Sequence, residues 1–396
     1  MDFTFTEEQQ AAVEAARAVF SDVAPDRAPS PALTPGAVAE DIDRQLWHEL
    51  ARTDLLGLTL SPDHGGAGLD PIALCLVLRE SAKVLARVPL LESCAVALAV
   101  QRYGGSTLAA ELLPRAGRGE LILTVGANGR SGHDPAELAV TARRYGQGDT
   151  ESDAAAGASG GPAGESGWVL DGVQSGVPWA QVADWIAVPA HTAGGRPVLA
   201  LVPRTRDGVT LADQVSTSGE RLAEVRLDAV RVAAGELIDA AGCWDWLRSL
   251  LTTGTCALAL GLGERVLAMT AEYTGKREQF GFPVATFQAV AVQAADRYID
   301  LRAMEATLWQ AAWRISTDAG GPLPAAGDVA VAKIWASDGV RRVVQTAQHL
   351  HGGFGADTDY PLHRFHAWAK LIELSLGPAA AHEEALGDLL AAHPLG

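Results

Sequence analysis

Glu120-Leu121-Ile122-Leu123-Thr124-Val125-Gly126-Ala127 is the first of five runs of one kind; the others are SGWVLDGV (166–173), ADWIAVPA (183–190), PVLALVPR (197–204) and AEVRLDAVRV (223–232). Each is short, apolar and bounded by Gly, Pro or Asp, which is the pattern of strands rather than helices. Together they predict a small antiparallel β-domain over 119–238. Residues 147–167 are a Gly/Ala/Ser/Asp low-complexity insert between strand-like runs. The composition predicts a flexible hairpin loop there.

On both sides of this zone the apolar period changes. In 1–118, Ala11, Ala12, Ala15, Ala16 and Val19 stripe a helix over Glu7–Phe20. A second helical stretch, Ile42–Leu58, breaks at Ser61-Pro62-Asp63-His64-Gly65-Gly66-Ala67-Gly68, and an Ala/Leu/Val-rich stretch then runs to Leu113-Pro114. In 239–396, Trp244–Gly275 reads as one long helix, and Phe287, Val290, Ala294, Tyr298, Leu301, Leu308 and Ala312 stripe a second. Val329–Leu350 and Pro378–Ala392 supply two more, which fits a four-helix bundle. The fold class is therefore α+β, mostly α: an N-terminal helical domain (1–118), a middle β-domain (119–238) and a C-terminal bundle (239–396). There is no GxGxxG after a strand and no GxxxxGK[ST], which argues against Rossmann and P-loop nucleotide binding.

The chain has 396 residues, 48% hydrophobic and 20% charged, with 48 acidic against 31 basic side chains and a net charge of −17. These are globular values, and no Lys/Arg run could form a nucleic-acid patch. They suit an acidic protein of the cytoplasm. Cys75, Cys94, Cys243 and Cys256 include no CxxC pair, so they read as buried thiols rather than a zinc or disulfide framework. MDFTFTEEQQ is not a signal peptide. The most apolar stretch, Thr252–Gly263, is shorter than the ~20 residues of a membrane span and reads as a buried helix.

Three further segments carry chemistry when read together. The first is Gly57-Leu58-Thr59-Leu60 with Ser61–Gly68. The second is Lys276-Arg277-Glu278-Gln279-Phe280-Gly281-Phe282-Pro283 with Phe287-Gln288-Ala289-Val290. The third is His349-Leu350-His351-Gly352-Gly353-Phe354-Gly355 with Tyr360-Pro361-Leu362-His363-Arg364-Phe365 and Ala369-Lys370. In this order, on an α–β–α chain of this length, they resemble the acyl-CoA dehydrogenase family. The resemblance implies a dimer of dimers with FAD lying across a subunit interface. It implies α,β-dehydrogenation of an acyl-CoA, with electron-transfer flavoprotein as the acceptor. A carboxylate removes the α-proton and the β-hydrogen leaves as hydride to the flavin. Such a reaction needs hydrogen-bond donors at the thioester carbonyl and a general base of raised pKa in a dry pocket.

By resemblance, Arg277 binds the FAD pyrophosphate from the neighbouring subunit, where a guanidinium fork matches phosphate oxygens. Gln279, Phe280, Val284 and Gln288 contact the cofactor from the same segment. Gly352 and Gly353 allow close backbone approach. The family's Gln before these glycines is His349 here, which alters one adenine-side contact.

The flavin-ring half departs further. The family's Trp-Ile-Thr after the strand aligns with Gly176-Val177-Pro178, and Pro offers neither N–H nor hydroxyl. The family's Thr-Glu-Pro-x-x-Gly-Ser-Asp aligns with Ala127–Asp134, which puts Ala127 and His133 where Thr and Ser stand. The usual catalytic Glu falls on Leu376, followed by Pro378 in place of Thr. The alternative Glu on the first bundle helix falls on Leu251, followed by Thr252 in place of Arg. Neither leucine accepts a proton, so no catalytic base is assigned. The nearest substitutes are Glu373, one helical turn before Leu376, and Asp245. His349, His351, His363 and His366 cluster in sequence, but the family context accounts for this segment without a metal.

Three functions follow from the resemblance. The chain is a half-site subunit of an α2β2 heteromer, paired with a homologous acyl-CoA dehydrogenase chain that supplies the ring side and the base. Bacterial enzymes acting on CoA-linked sterol side chains show this kind of loss, so a steroid-CoA is the leading substrate. The second function is a self-sufficient homotetramer with a shifted base such as Glu373. The third is a non-catalytic acyl-CoA binder or scaffold.

Overall fold

The computed structural model describes residues 4–130, 137–145 and 166–394. Most of the predicted insert (147–165) and Ser131–Asp134 of the flavin-side segment, His133 included, lie outside the described residues.

The N-terminal helices are α1 (Glu7–Phe20), α2 (Arg44–Arg52), α3 (Pro71–Ala82), α4 (Leu90–Tyr103) and α5 (Ser106–Gly117). Helix α1 starts on a reciprocal cap: Thr6 Oγ1 accepts from Gln9 N (3.2 Å) and Gln9 Oε1 accepts from Thr6 N (3.0 Å). Asp43 caps α2 and Asp70 caps α3, each accepting from the backbone N–H three residues on. Helix α2 ends well before Leu58, because the chain turns at Asp54 with φ +58°. The Ser61–Gly68 break is a tight loop. A Cβ on Gly66 would lie 2.2 Å from the Leu60 carbonyl oxygen, so only glycine fits.

The strands are β1 (Leu123–Val125), β2 (Val140–Tyr145), β3 (Gly167–Pro178), β4 (Trp185–Thr192), β5 (Pro197–Pro203), β6 (Val209–Val215), β7 (Arg221–Ala233) and β8 (Leu237–Ile238). Their order is β6-β7-β3-β2-β4-β5-β8, with β1 on β4. The sheet is mixed, which corrects the antiparallel expectation: β1 and β2 both pair parallel to β4. The five strand-like runs of the sequence correspond to β1, β3, β4, β5 and β7. Strands β2 and β6 have no such signal, because Arg143, Arg144 and Asp213 interrupt the apolar alternation that marks a strand.

The C-terminal zone holds α6 (Cys243–Lys276), a small hairpin β9 (Glu278–Gln279) and β10 (Phe282–Pro283), then α7 (Gln288–Thr317), α8 (Ala325–His351), α9 (Leu362–Leu374) and α10 (Ala379–Ala392). Helix α9 is additional to the four helices read from the sequence. Helix α6 is long and apolar enough to span a bilayer by composition, but 78% of its most apolar window is packed inside the protein. The first half of α7 departs from its predicted core stripe: Phe287 and Tyr298 are exposed, and Val290 and Ala294 are only half-buried.

Packing joins the two helical zones. One apolar core runs from Ala12 on α1 to Ile372 on α9, and a second, made of strand residues, fills the sheet. The segment before α2 is tied to α9 by Ser30 Oγ and His363 Nδ1, 2.6 Å apart and buried.

Candidate functional site: an exposed cofactor patch and a closed base position

Helix α6 stops at Arg277, whose N–H still donates to Tyr273 O (2.8 Å). The chain then doubles back: Gln279 pairs with Phe282 and Glu278 with Pro283. Between the strands, Phe280 (φ +56°) and Gly281 (φ +81°) both hold left-handed backbone, as a two-residue hairpin turn requires. For a phenylalanine this conformation costs ~1–2 kcal/mol, and the ring it presents is 90% exposed. Phe280 rests edge-on against Phe287 (6.3 Å). Arg277, Gln279 and Gln288 are exposed and Val284 is half-buried. Among the described residues the Arg277 side chain has no hydrogen-bond or ion-pair partner. An unpaired guanidinium beside an exposed, strained aromatic turn serves no purpose within this chain alone.

The end of α8 meets this hairpin through Tyr273. The Tyr273 ring stacks on His351 (centroids 4.4 Å) and on Phe354 (5.2 Å). His351 Nδ1 lies 2.8 Å from Ala347 O and its Nε2 lies 3.1 Å from the Tyr360 hydroxyl. His349 is exposed, while its neighbour Gln348 donates to Gly352 O (3.0 Å). Gly352 needs glycine for its φ of +59°, but Gly353 does not. A Cβ on Gly353 would also meet nothing within 4 Å. The room it leaves faces outward. The structure thus places all eight sequence-predicted cofactor residues on the α6–hairpin–α7 corner and the end of α8. It adds Tyr273, which lies outside the quoted motifs, and Phe354, which the third motif contains without marking it as a cofactor contact. Tyr273 is nonetheless the helical neighbour of Arg277 at i−4, and Phe354 is the aromatic next to Gly353.

The ring-side positions look different. Leu251 is buried in the helical core. Thr252 Oγ1 donates back to Arg248 O (2.8 Å). Leu376 has φ +58° and packs its side chain against the same core. Its carbonyl is 2.9 Å from His382 Nε2, whose pKa burial lowers to about 4. Behind this loop, the fully buried Lys333 donates to Ser337 Oγ (2.9 Å), Ile372 O (3.0 Å) and Glu373 O (3.1 Å). Burial pulls its ammonium down to about 8. The loop is held from below, and it presents leucine. Pro178 O accepts from Thr124 Oγ1 (2.6 Å).

Glu373 is engaged elsewhere: its carboxylate lies 2.7 Å from Lys370 Nζ and 3.9 Å from Arg341 Nε. Asp245 sits in the first turn of α6. His363 is bonded to Ser30, away from its sequence neighbours, so the four histidines do not act as one group; among the described residues no three His, Cys, Asp or Glu side chains converge. A carboxyl that the sequence does not single out is Glu92, in the first turn of α4. Burial pushes it up to about 7, against its own N–H and a bond from the Trp179 indole, which both lower it.

The family described as "Acyl-CoA dehydrogenase, C-terminal domain" matches residues 251–390, and "Acyl-CoA dehydrogenase, N-terminal domain" matches 6–120. Acyl-CoA dehydrogenase FadE27 from Mycobacterium tuberculosis is 35% identical over 357 residues, 89% of each chain. The chain belongs to the acyl-CoA dehydrogenase family. A crystal structure of the ChsE4-ChsE5 complex from Mycobacterium tuberculosis superposes with a TM-score of 0.86 at 33% identity over all of both chains. A chain of a variant of the Tcur3481-Tcur3483 steroid ACAD does so at 0.84 and 35% identity over 98% of both. FAD is the cofactor of this family. Arg277 and the open glycines of this acyl-CoA dehydrogenase chain fit the pyrophosphate side of that cofactor. Pro178, Leu251 and Leu376 do not fit its ring side or the base beside it.

Proposed function

We propose that this chain is the base-lacking subunit of a cytoplasmic, FAD-dependent acyl-CoA dehydrogenase, active as an α2β2 heteromer. A homologous partner supplies the catalytic Glu and the flavin-ring contacts. This chain supplies Arg277, the Phe280 turn and the Gly352-Gly353 end of α8. The bound FAD would accept the hydride during α,β-desaturation of a CoA thioester. The observation that carries this reading is the division within one chain: Arg277, Phe280 and Gln288 are exposed and the Arg277 side chain has no partner among the described residues, while both base positions are leucine, Leu251 buried in the core and Leu376 packed against it. A general base must reach its proton within hydrogen-bond distance, and neither leucine can accept one.

The relatives support the reading. One structural neighbour is a two-component complex and another is a steroid ACAD named for two components. A steroid side-chain CoA is therefore the proposed substrate, and electron-transfer flavoprotein the proposed acceptor.

The test is complementation. The chain is co-purified with a homologous chain that carries Glu at the position of Leu376, and dehydrogenation of a steroid-CoA is followed. Replacing the partner's Glu with Gln should abolish turnover, while Glu373→Gln and Glu92→Gln in this chain should leave it within a few-fold. A second reading, a self-sufficient dehydrogenase, finds its best carboxyl in Glu92, whose raised pKa and contact with Trp179, next to Pro178, suit a base better than the ion-paired Glu373. Loss of turnover on Glu92→Gln would select it.

A further inference from the structure

We infer that the end of the helical bundle remote from the cofactor patch carries a site for a small apolar carboxylate. Trp246, Arg314 and the first N–H groups of α8 are its donors. The site is separate from the cofactor reading above: α6 runs 34 residues, about 50 Å, before it reaches the Arg277 corner.

The start of α6, the end of α7 and the start of α8 enclose a cavity of about 590 Å³, within the range of small-ligand sites. Ile315, Leu323 and Pro324 give it apolar walls, and Trp246 adds an aromatic one. The Trp246 ring is fixed in place. Tyr103 packs against it edge-on at 5.9 Å, and the Arg102 guanidinium lies over it at 5.1 Å, itself held by Asp318 (2.6 Å). Yet the indole N–H is buried and, among the described residues, has no partner. Arg314 also lines the cavity and is 5% exposed. Its Nη1 reaches Asp328 (2.5 Å) and its Nη2 donates to Leu323 O (2.8 Å), while its Nε is buried without a partner among the described residues. Gly321 brings the α7–α8 connection directly onto this guanidinium, since a Cβ there would lie 2.3 Å from Nη1. Helix α8 then starts at Ala325 behind Pro324, with no side-chain cap. The N–H groups of Ala325 and Ala326 have no carbonyl within the helix to meet, and both residues line the cavity. Buried donors are normally paired; here unspent donors from three elements surround one cavity. The Ser249 hydroxyl on the same wall is already engaged, donating to Asp245 O (2.8 Å). Helix α6 also begins here without a side-chain cap, so two helix N-termini add positive potential. Unspent donors, positive potential and apolar walls together select an apolar ligand with an anionic acceptor. Of the acids on the wall, Asp318 is held by Arg102, and Asp245 in the first turn of α6 opposes the ligand's charge.

The experiment is calorimetric titration of the purified full-length chain with octanoate and, as the uncharged control, octanol. Wild type should bind octanoate at least about tenfold more tightly than octanol. Trp246→Phe keeps an aromatic ring and removes the donor, and should weaken octanoate about tenfold. Ala326→Glu puts a carboxylate at an exposed helix start, where it favours the fold, and should abolish octanoate binding. Asp245→Asn should tighten octanoate a few-fold. Thermal melts check the fold of each variant; Ala326→Glu keeps the test valid should Trp246→Phe be damaged. Absence of octanoate binding by wild type, or equal binding of octanoate and octanol, would overturn the carboxylate site. Octanoate binding left unchanged by Trp246→Phe and Ala326→Glu alike would put the ligand elsewhere on the chain and overturn it as well. Weaker binding in Asp245→Asn would contradict the charge assigned to the ligand.

Discussion

Arg277→Ala separates cofactor binding from folding more cleanly than any other single change. The side chain is exposed and, among the described residues, has no partner, so its removal should move stability by no more than ~0.5 kcal/mol. Its role in the heteromer is a charge-assisted contact with the pyrophosphate. Such contacts contribute about 1.5–3 kcal/mol, so FAD affinity should fall roughly 10- to 150-fold. Arg277→Lys keeps the charge but loses the planar fork, and should fall between the two. The assay is FAD dissociation from the co-purified heteromer, followed by flavin fluorescence at two ionic strengths, beside a thermal melt. The wild-type affinity should weaken with salt and that of Arg277→Ala should depend on it less. Unchanged FAD affinity in Arg277→Ala, with an unchanged melt, would refute the assignment of Arg277 and with it the orientation of the cofactor across this patch.

Further outcomes follow from the buried ionisable groups. Glu373→Gln should leave heteromer turnover within a few-fold, because Lys370 and Arg341 already occupy that carboxylate; a loss of ~10² or more, the scale of an essential base, would count against this. Glu92 has its folded-state pKa raised from 4.5 to about 7. The stability contributed by its protonated form is complete below pH 4.5 and is lost as pH rises through 7. Urea unfolding of wild type at pH 5 and 8 should therefore show a fall, relative to Glu92→Gln, of at most about 3 kcal/mol; parallel behaviour would show that Glu92 is solvated. Lys333 has its pKa lowered from 10.5 to about 8. The unfolded chain binds the extra proton between those values, so wild-type stability should rise across pH 8 to 10.5. Lys333→Met should lack that rise; an equal rise in the variant would mean that another group titrates there.

Much of this architecture is legible in the sequence because its signals are periodic. Helix α1 has the predicted bounds and buries Ala12 and Ala16 of its stripe, although Ala11 is exposed, and the long α6, α7 and α8 are visible because their apolar positions repeat over many turns. Helix α9 is hard to see because Leu362–Leu374 follows Tyr360-Pro361 and mixes Leu, Phe and Trp anchors with two histidines, so no clean stripe stands out. Parallel pairing of β1 and β2 with β4 is hidden, since strand direction is set by the chain's path and not by alternation. At the site, the motif residues are legible as types. Their exposure, the unpaired state of Arg277 and the outward room at Gly353 become visible only with the fold. The Tyr273–Phe354 stack joins residues far apart in sequence, which no local pattern records. The same limit hides Glu92, an ordinary helix-start acid until burial raises its pKa.

The most direct test of the half-site account is the visible absorption spectrum and flavin-to-protein ratio of the purified chain, alone and co-purified with a homologous chain bearing the catalytic Glu. The expected result is a colourless chain alone and a yellow complex with one FAD for each pair of unlike subunits. A yellow chain alone, bleached by an acyl-CoA, would contradict it and show that this chain holds both halves of the flavin site and its own base.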